Sequence, residues 1–126
     1  MEEGKMIEPK YRIKDKADFE RIFKKIAELD NEELNDGFIV EGNHDITYGD
    51  VKATCELIGH DLLLLPQEIV DDLERGKYSH IDTFYIDIIH LTKLAPNFTG
   101  SLFLFGGAIP DELEIEEDGT LRLWFD

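Results

Sequence analysis

The residues with the greatest capacity for chemistry stand just behind short apolar segments. Gly42-Asn43-His44-Asp45 follows directly on Phe38-Ile39-Val40. An amide oxygen, an imidazole and a carboxylate released from the end of a strand are donor types that bind divalent cations. His60 and His90 occupy similar places further on, with Asp61 beside the first of them. In turns stacked at the ~4.8 Å strand spacing, His44, His60 and His90 would align as weak metal candidates. The simpler reading is solvated turn residues, with Gly42 and Asn43 used for their tolerance of left-handed backbone.

The tetrapeptide at 42–45 looks like the G-N-H-[DE] element of metallophosphoesterases. That resemblance implies metal-dependent phosphoester hydrolysis, with Asn43 and His44 at the metals and the phosphate. The Asp-x-His and Gly-Asp-x-x-Asp that accompany the element in that family are missing upstream, and residues 1–41 contain no histidine. A two-metal mechanism needs ligands converging from several loops. Cys55, the single cysteine, starts an apolar pair and is expected to point inward as an inert thiol. No Ser/His/Asp order and no phosphate-cradling glycine loop before a helix is present. The chain is therefore read as non-enzymatic, with no catalytic residue, no assigned metal site and no cofactor.

Charge narrows the partners. The formal net charge is −16, and it is uneven. Residues 1–25 carry eight Lys and Arg against six acids, which leaves five bases and 23 acids, a net of −18, for residues 26–126. Such a field repels nucleic acid and membrane phosphates and steers toward basic proteins. No apolar run reaches the ~18 residues of a membrane span, and Met1-Glu2-Glu3-Gly4-Lys5 lacks the basic-then-apolar order of a secretory signal. A cytoplasmic protein is expected, in keeping with the lone cysteine.

The elements that must position these groups fall into two regions of a single domain, a helical cap over 1–36 and a repeat region over 37–126. Phe19, Ile22, Phe23, Ile26 and Leu29 recur at helical spacing, Asp15 can cap the start, and Gly37 can end a helix spanning 15–34. Beyond it come apolar-x-apolar pairs: Phe38-Ile39-Val40, Cys55-Glu56-Leu57, Phe84-Tyr85-Ile86, Leu102-Phe103-Leu104 and Leu121-Arg122-Leu123. Their last residues are 17, 29, 18 and 19 apart. The long interval accommodates a helix from Pro66 to Arg75, stopped by Gly76. Gly42, Gly59 and Gly106 follow three pairs, and Thr54, Thr83, Ser101 and Thr120 precede four. These columns, with Leu91-Thr92-Lys93-Leu94-Ala95-Pro96 and Pro110-Asp111-Glu112-Leu113-Glu114-Ile115, resemble bacterial and phage leucine-rich-repeat-like proteins over residues 37–126. The resemblance implies an α/β chain with a short solenoid of about five parallel strands capped by the N-terminal helix, and a binding scaffold.

An α+β domain with an antiparallel sheet is the alternative. Leu113-Glu114-Ile115-Glu116, Glu117-Asp118-Gly119 and Thr120-Leu121-Arg122-Leu123 read as a hairpin with a three-residue loop ending in glycine. In that register Ile115 faces Leu121, Leu113 faces Leu123 and Glu114 pairs with Arg122.

If the first and third residues of each pair point inward, alternation sends Tyr85, Phe103, Phe105 and Trp124 onto one exposed face, with Arg122, Asp87 and Glu56 around them. Aromatics rimmed by charge have the composition of an interface centre. A covering helix, or a second copy forming a homodimer, is the plainer account of such a face. The function read from the sequence is a small acidic protein-binding module, an inhibitor or adaptor acting through this face on a protein partner of basic character. A nucleic-acid mimic, in which carboxylates replace phosphates, is the first alternative. A metal-dependent phosphoesterase-like enzyme is the second.

Overall fold

The computed structural model describes residues 9–24, 26–28, 46–77, 80–90, 105 and 110–125. In chain order these form β1 (Lys10–Arg12), α1 (Lys16–Ile22), α2 (Tyr48–Ile58), a 3-10 turn (His60–Leu62), β2 (Leu63–Pro66), α3 (Gln67–Glu74), β3 (Thr83–Asp87), β4 (Glu112–Ile115) and β5 (Thr120–Trp124). The five strands make one sheet in the order β1-β2-β3-β5-β4, with every neighbouring pair antiparallel. The fold is therefore α+β, and the parallel solenoid expected from the repeat is corrected to its antiparallel alternative.

The repeat fails at Cys55-Glu56-Leu57, which lies inside α2 rather than on a strand. Thr47 caps that helix and Asp50 returns the bond to the Thr47 amide, a complete capping box. Val51, Thr54, Cys55 and Ile58 then fall on one buried helical stripe, so Leu57 is left 52% exposed where a strand would have buried it. Gly59, at φ +107, ends the helix instead of turning off a strand. The hydroxyl column dissolves with it, because Thr54 sits on α2, Thr83 faces Trp124 and Thr120 faces Asp87. The pairs at 38–40 and 102–104 lie outside the described residues.

Other expectations stand. Asp15 caps α1 by accepting from the Asp18 amide, and Phe19, Ile22, Phe23 and Ile26 are buried. α1 proper closes at Ile22, and residues 29–45 lie outside the described set. Pro66 opens α3, and Gly76 follows it at φ +78. Arg21 ties the two helices together, donating to Asp18 at 2.8 Å and to Glu74. The hairpin has the register read from the sequence, with Leu113 opposite Leu123, Glu114 opposite Arg122 and Ile115 opposite Leu121. Its turn bonds the Gly119 amide to the Glu116 carbonyl and the Glu116 amide to the Thr120 carbonyl, with Gly119 at φ +86.

One face of the sheet carries the core. Leu63, Leu65, Phe84, Ile86 and Leu123 join residues of all three helices there, while Leu64 and Tyr85 point to the opposite side. β2 is buried on both faces, which explains its unbroken run Leu63-Leu64-Leu65.

Candidate functional site

The sheet face opposite the helices gathers most of the residues singled out for binding, in a different environment from the one expected. Tyr85 pairs with Leu64 on one side and Arg122 on the other, and Asp87 and Trp124 stand on the same face. Alternation therefore orients Tyr85 and Arg122 as read. Exposure does not follow: Tyr85 is 2% and Asp87 5% exposed, so the expected open aromatic face is corrected to a largely closed one. Trp124 and Arg122 are half-buried, and Glu56 is exposed and belongs to α2, not to a strand.

Phe105 is corrected further. It is 1% exposed and belongs to the core, its ring 4.7 Å from that of Phe84 and 5.8 Å from that of Phe125. Its φ of +50 is a left-handed value that costs a non-glycine residue about 1–2 kcal/mol. Burying a Phe side chain returns about 1.5–3 kcal/mol, and the strained conformation is held. The Phe105 amide donates to Thr54 Oγ1 at 2.8 Å, locking this residue to α2. Phe103 and His44 lie outside the described residues.

Two polar clusters occupy the closed face. In the first, Asp87 accepts from Arg12 Nη2 at 2.9 Å and from the His90 amide at 3.1 Å, and its Oδ2 lies 2.6 Å from His90 Nδ1. Arg12 also donates to the Asp61 carbonyl at 2.7 Å, which pins the turn carrying His60 to β1. Burial works against the charge on Asp87, but the His90 amide and ring and the Arg12 guanidinium outweigh it and hold the carboxyl below its usual range. In the second cluster Lys10 Nζ lies 2.9 Å from Asp118 Oδ2, 3.5 Å from Glu116 Oε1 and 4.7 Å from the centre of the Tyr85 ring. The Lys10 side chain is only 4% exposed. Burial again opposes charge on Asp118, yet Lys10 and the Thr120 hydroxyl and amide bring its pKa down to about 2.

The chemistry available here is limited to what each group faces. Asp87 holds the His90 ring through Nδ1, which leaves Nε2 as the ring nitrogen not engaged by that carboxylate, on a side chain that is 59% exposed. No described side chain places a hydroxyl or thiol against that atom. His60 instead makes an edge-to-face contact with Phe19, the ring centroids 5.7 Å apart. Among the described residues no three His, Cys, Asp or Glu side chains come together as metal ligands. The Cys55 thiol is buried, and burial followed by the nearby Glu56 charge pushes its pKa up to about 12.

The outer strand of the hairpin, whose pairing is read correctly from the sequence, is not singled out there as a binding surface. Leu113 and Ile115 are 60% and 68% exposed, the two most exposed large apolar side chains among the described residues. Glu112, Glu114 and Asp111 around them are also exposed. The signal was present in the run from Asp111 to Asp118, whose acids alternate with two apolar residues. No helix among the described residues is long and apolar enough to cross a membrane. Comparison with known proteins finds no matching family model, no matching curated protein and no matching solved structure.

Proposed function

We propose that this chain is a cytoplasmic, non-enzymatic binding module, an inhibitor or adaptor, whose partner is a basic protein. The observation that carries the reading is the β4–β5 hairpin, where exposed Leu113 and Ile115 stand among exposed carboxylates. Apolar side chains inside a charged rim supply area for affinity, and the rim selects the sign of the partner. The overall net charge of −16 supports the same choice by drawing basic surfaces toward the chain. The binding surface is thus moved from the buried Tyr85 and Phe105 to the edge of the sheet.

The test is affinity capture from nuclease-treated lysate by the native chain and by a Leu113→Lys, Ile115→Lys variant whose circular dichroism and melting match the native. A basic protein held by the native chain and lost by the variant is the expected result. Equal capture by both would remove the hairpin from the function.

A further inference from the structure

β4 forms one edge of the sheet, and β5 is its only strand neighbour among the described residues. The Glu116 amide bonds the Thr120 carbonyl. In an antiparallel ladder backbone groups alternate between the partner strand and the outside, so the Glu114 amide faces β5 and those of Leu113 and Ile115 face outward. Side chains alternate in the perpendicular direction, with Leu113 and Ile115 toward the helix-bearing side and Glu112 and Glu114 toward the other. Native edges are commonly protected by charged side chains, Lys above all, and by Pro; Glu112–Ile115 contains neither Lys nor Pro, and its two glutamates repel acidic strands while leaving the edge open to basic ones.

We propose that β4 accepts an extended segment of a basic partner as an added strand, a segment whose residues alternate between basic and apolar. The inference rests on the binding-module reading and specifies how the partner docks. The period of two dictates the alternation. On one side of the new pair the incoming residues lie beside Glu112 and Glu114, and on the other beside Leu113 and Ile115. Lys or Arg on the first side and Val or Ile on the second satisfies both. A second copy of this chain pairing through the same edge sets Glu near Glu, a repulsive arrangement. Main-chain bonds from the outward amides supply affinity that does not depend on charge, and the alternation supplies selectivity.

The experiment titrates the purified chain with two labelled peptides of identical composition, followed by fluorescence anisotropy. In one, lysine and valine alternate; in the other, all the lysines precede all the valines. The expected result is roughly tenfold tighter binding of the alternating peptide, equivalent to about 1.4 kcal/mol. Ile115→Pro, which removes an outward amide without touching the ladder to β5, is expected to abolish that preference. If this variant unfolds, Leu113→Lys replaces it, acting by charge repulsion on a surface residue. Equal affinity for the two peptides, or an unchanged preference in the folded variants, overturns strand addition. Self-association that disappears in the edge variants would assign the edge to a second copy and overturn it also. Partner capture that still depends on the hairpin, alongside equal peptide affinities, would leave the binding module standing and remove only its docking mode.

Discussion

Replacing Thr54 by Val tests the contact that fixes Phe105. Thr54 is 1% exposed, and its hydroxyl accepts from the Phe105 amide at 2.8 Å while donating to the Asp50 carbonyl at 2.9 Å. Valine has nearly the same shape, so no cavity opens. The Asp50 carbonyl keeps its acceptor role within α2, but the Phe105 amide is left buried with no partner from α2, a loss of about 1–3 kcal/mol. The new methyl group offsets up to about 0.8 kcal/mol. The expected net destabilisation is about 1–2 kcal/mol, well inside the ~5–15 kcal/mol typical of a domain, so the variant folds. With a urea slope near ~2 kcal/mol/M, the unfolding midpoint falls by roughly 0.5–1 M and the slope stays constant. Amide exchange at Phe105, read by NMR, accelerates by more than the global change. A midpoint within ~0.2 M of the native value, with Phe105 exchange unaltered, would refute the argument.

Cys55 should resist thiol reagents in the native state, since its pKa is pushed up to about 12 by burial; labelling at the rate of global unfolding is expected, and fast labelling at neutral pH would place the thiol outside the core. Asp87 and Asp118 are more acidic folded than unfolded, so the unfolded chain binds more protons as acid is added. Their stabilisation is complete above the ordinary carboxyl value of 3.8 and is lost as pH falls toward about 2, the Asp118 value. In Asp87→Asn, Asp118→Asn the melting temperature should fall less steeply over that window than in the native chain; parallel curves would contradict the assignment. Gly119→Ala should cost about 1–2 kcal/mol, because φ is +86 and the added Cβ would run into the Ile89 side chain. Ile89 is half-exposed and can swing aside, so Gly119→Asn, which tolerates the same backbone, should lose less, and an unchanged melting temperature for the Ala variant would place this turn in another conformation.

The legible parts of the fold are those specified by local chemistry. Asp15, Pro66 and Gly76 mark helix ends because their side chains or backbone limits act on adjacent residues. The hairpin could be paired residue for residue because the turn at Glu117-Asp118-Gly119 fixes its register. Three-residue apolar pairs are less informative, since Cys55-Glu56-Leu57 satisfies a strand pattern while Val51, Cys55 and Ile58 satisfy a helical one. Only the capping box at Thr47 and Asp50 and the stop at Gly59 decide between them. β1 was missed because three residues offer too little pattern, and β2 because both its faces are buried and no alternation survives. At the candidate site, alternation placed Tyr85 and Arg122 on the correct side of the sheet. Exposure is a tertiary property, and nothing in the strand itself records whether its outward side is covered.

The strand order has a consequence for biosynthesis. β5 lies between β3 and β4, so the sheet is completed by insertion at an interior position by the last of the described strands. Until residues 120–124 have emerged from the ribosome, β3 presents an open edge containing Phe84, Tyr85 and Ile86. β1 must likewise wait for β2, about fifty residues later in the sequence. The closing contacts are long-range, and such topologies are slow to fold and exposed to aggregation while they wait. While residues 120–124 are still enclosed by the ribosome after β3 has left it, that hydrophobic edge stays uncovered, and this is the interval in which a chaperone has most to protect.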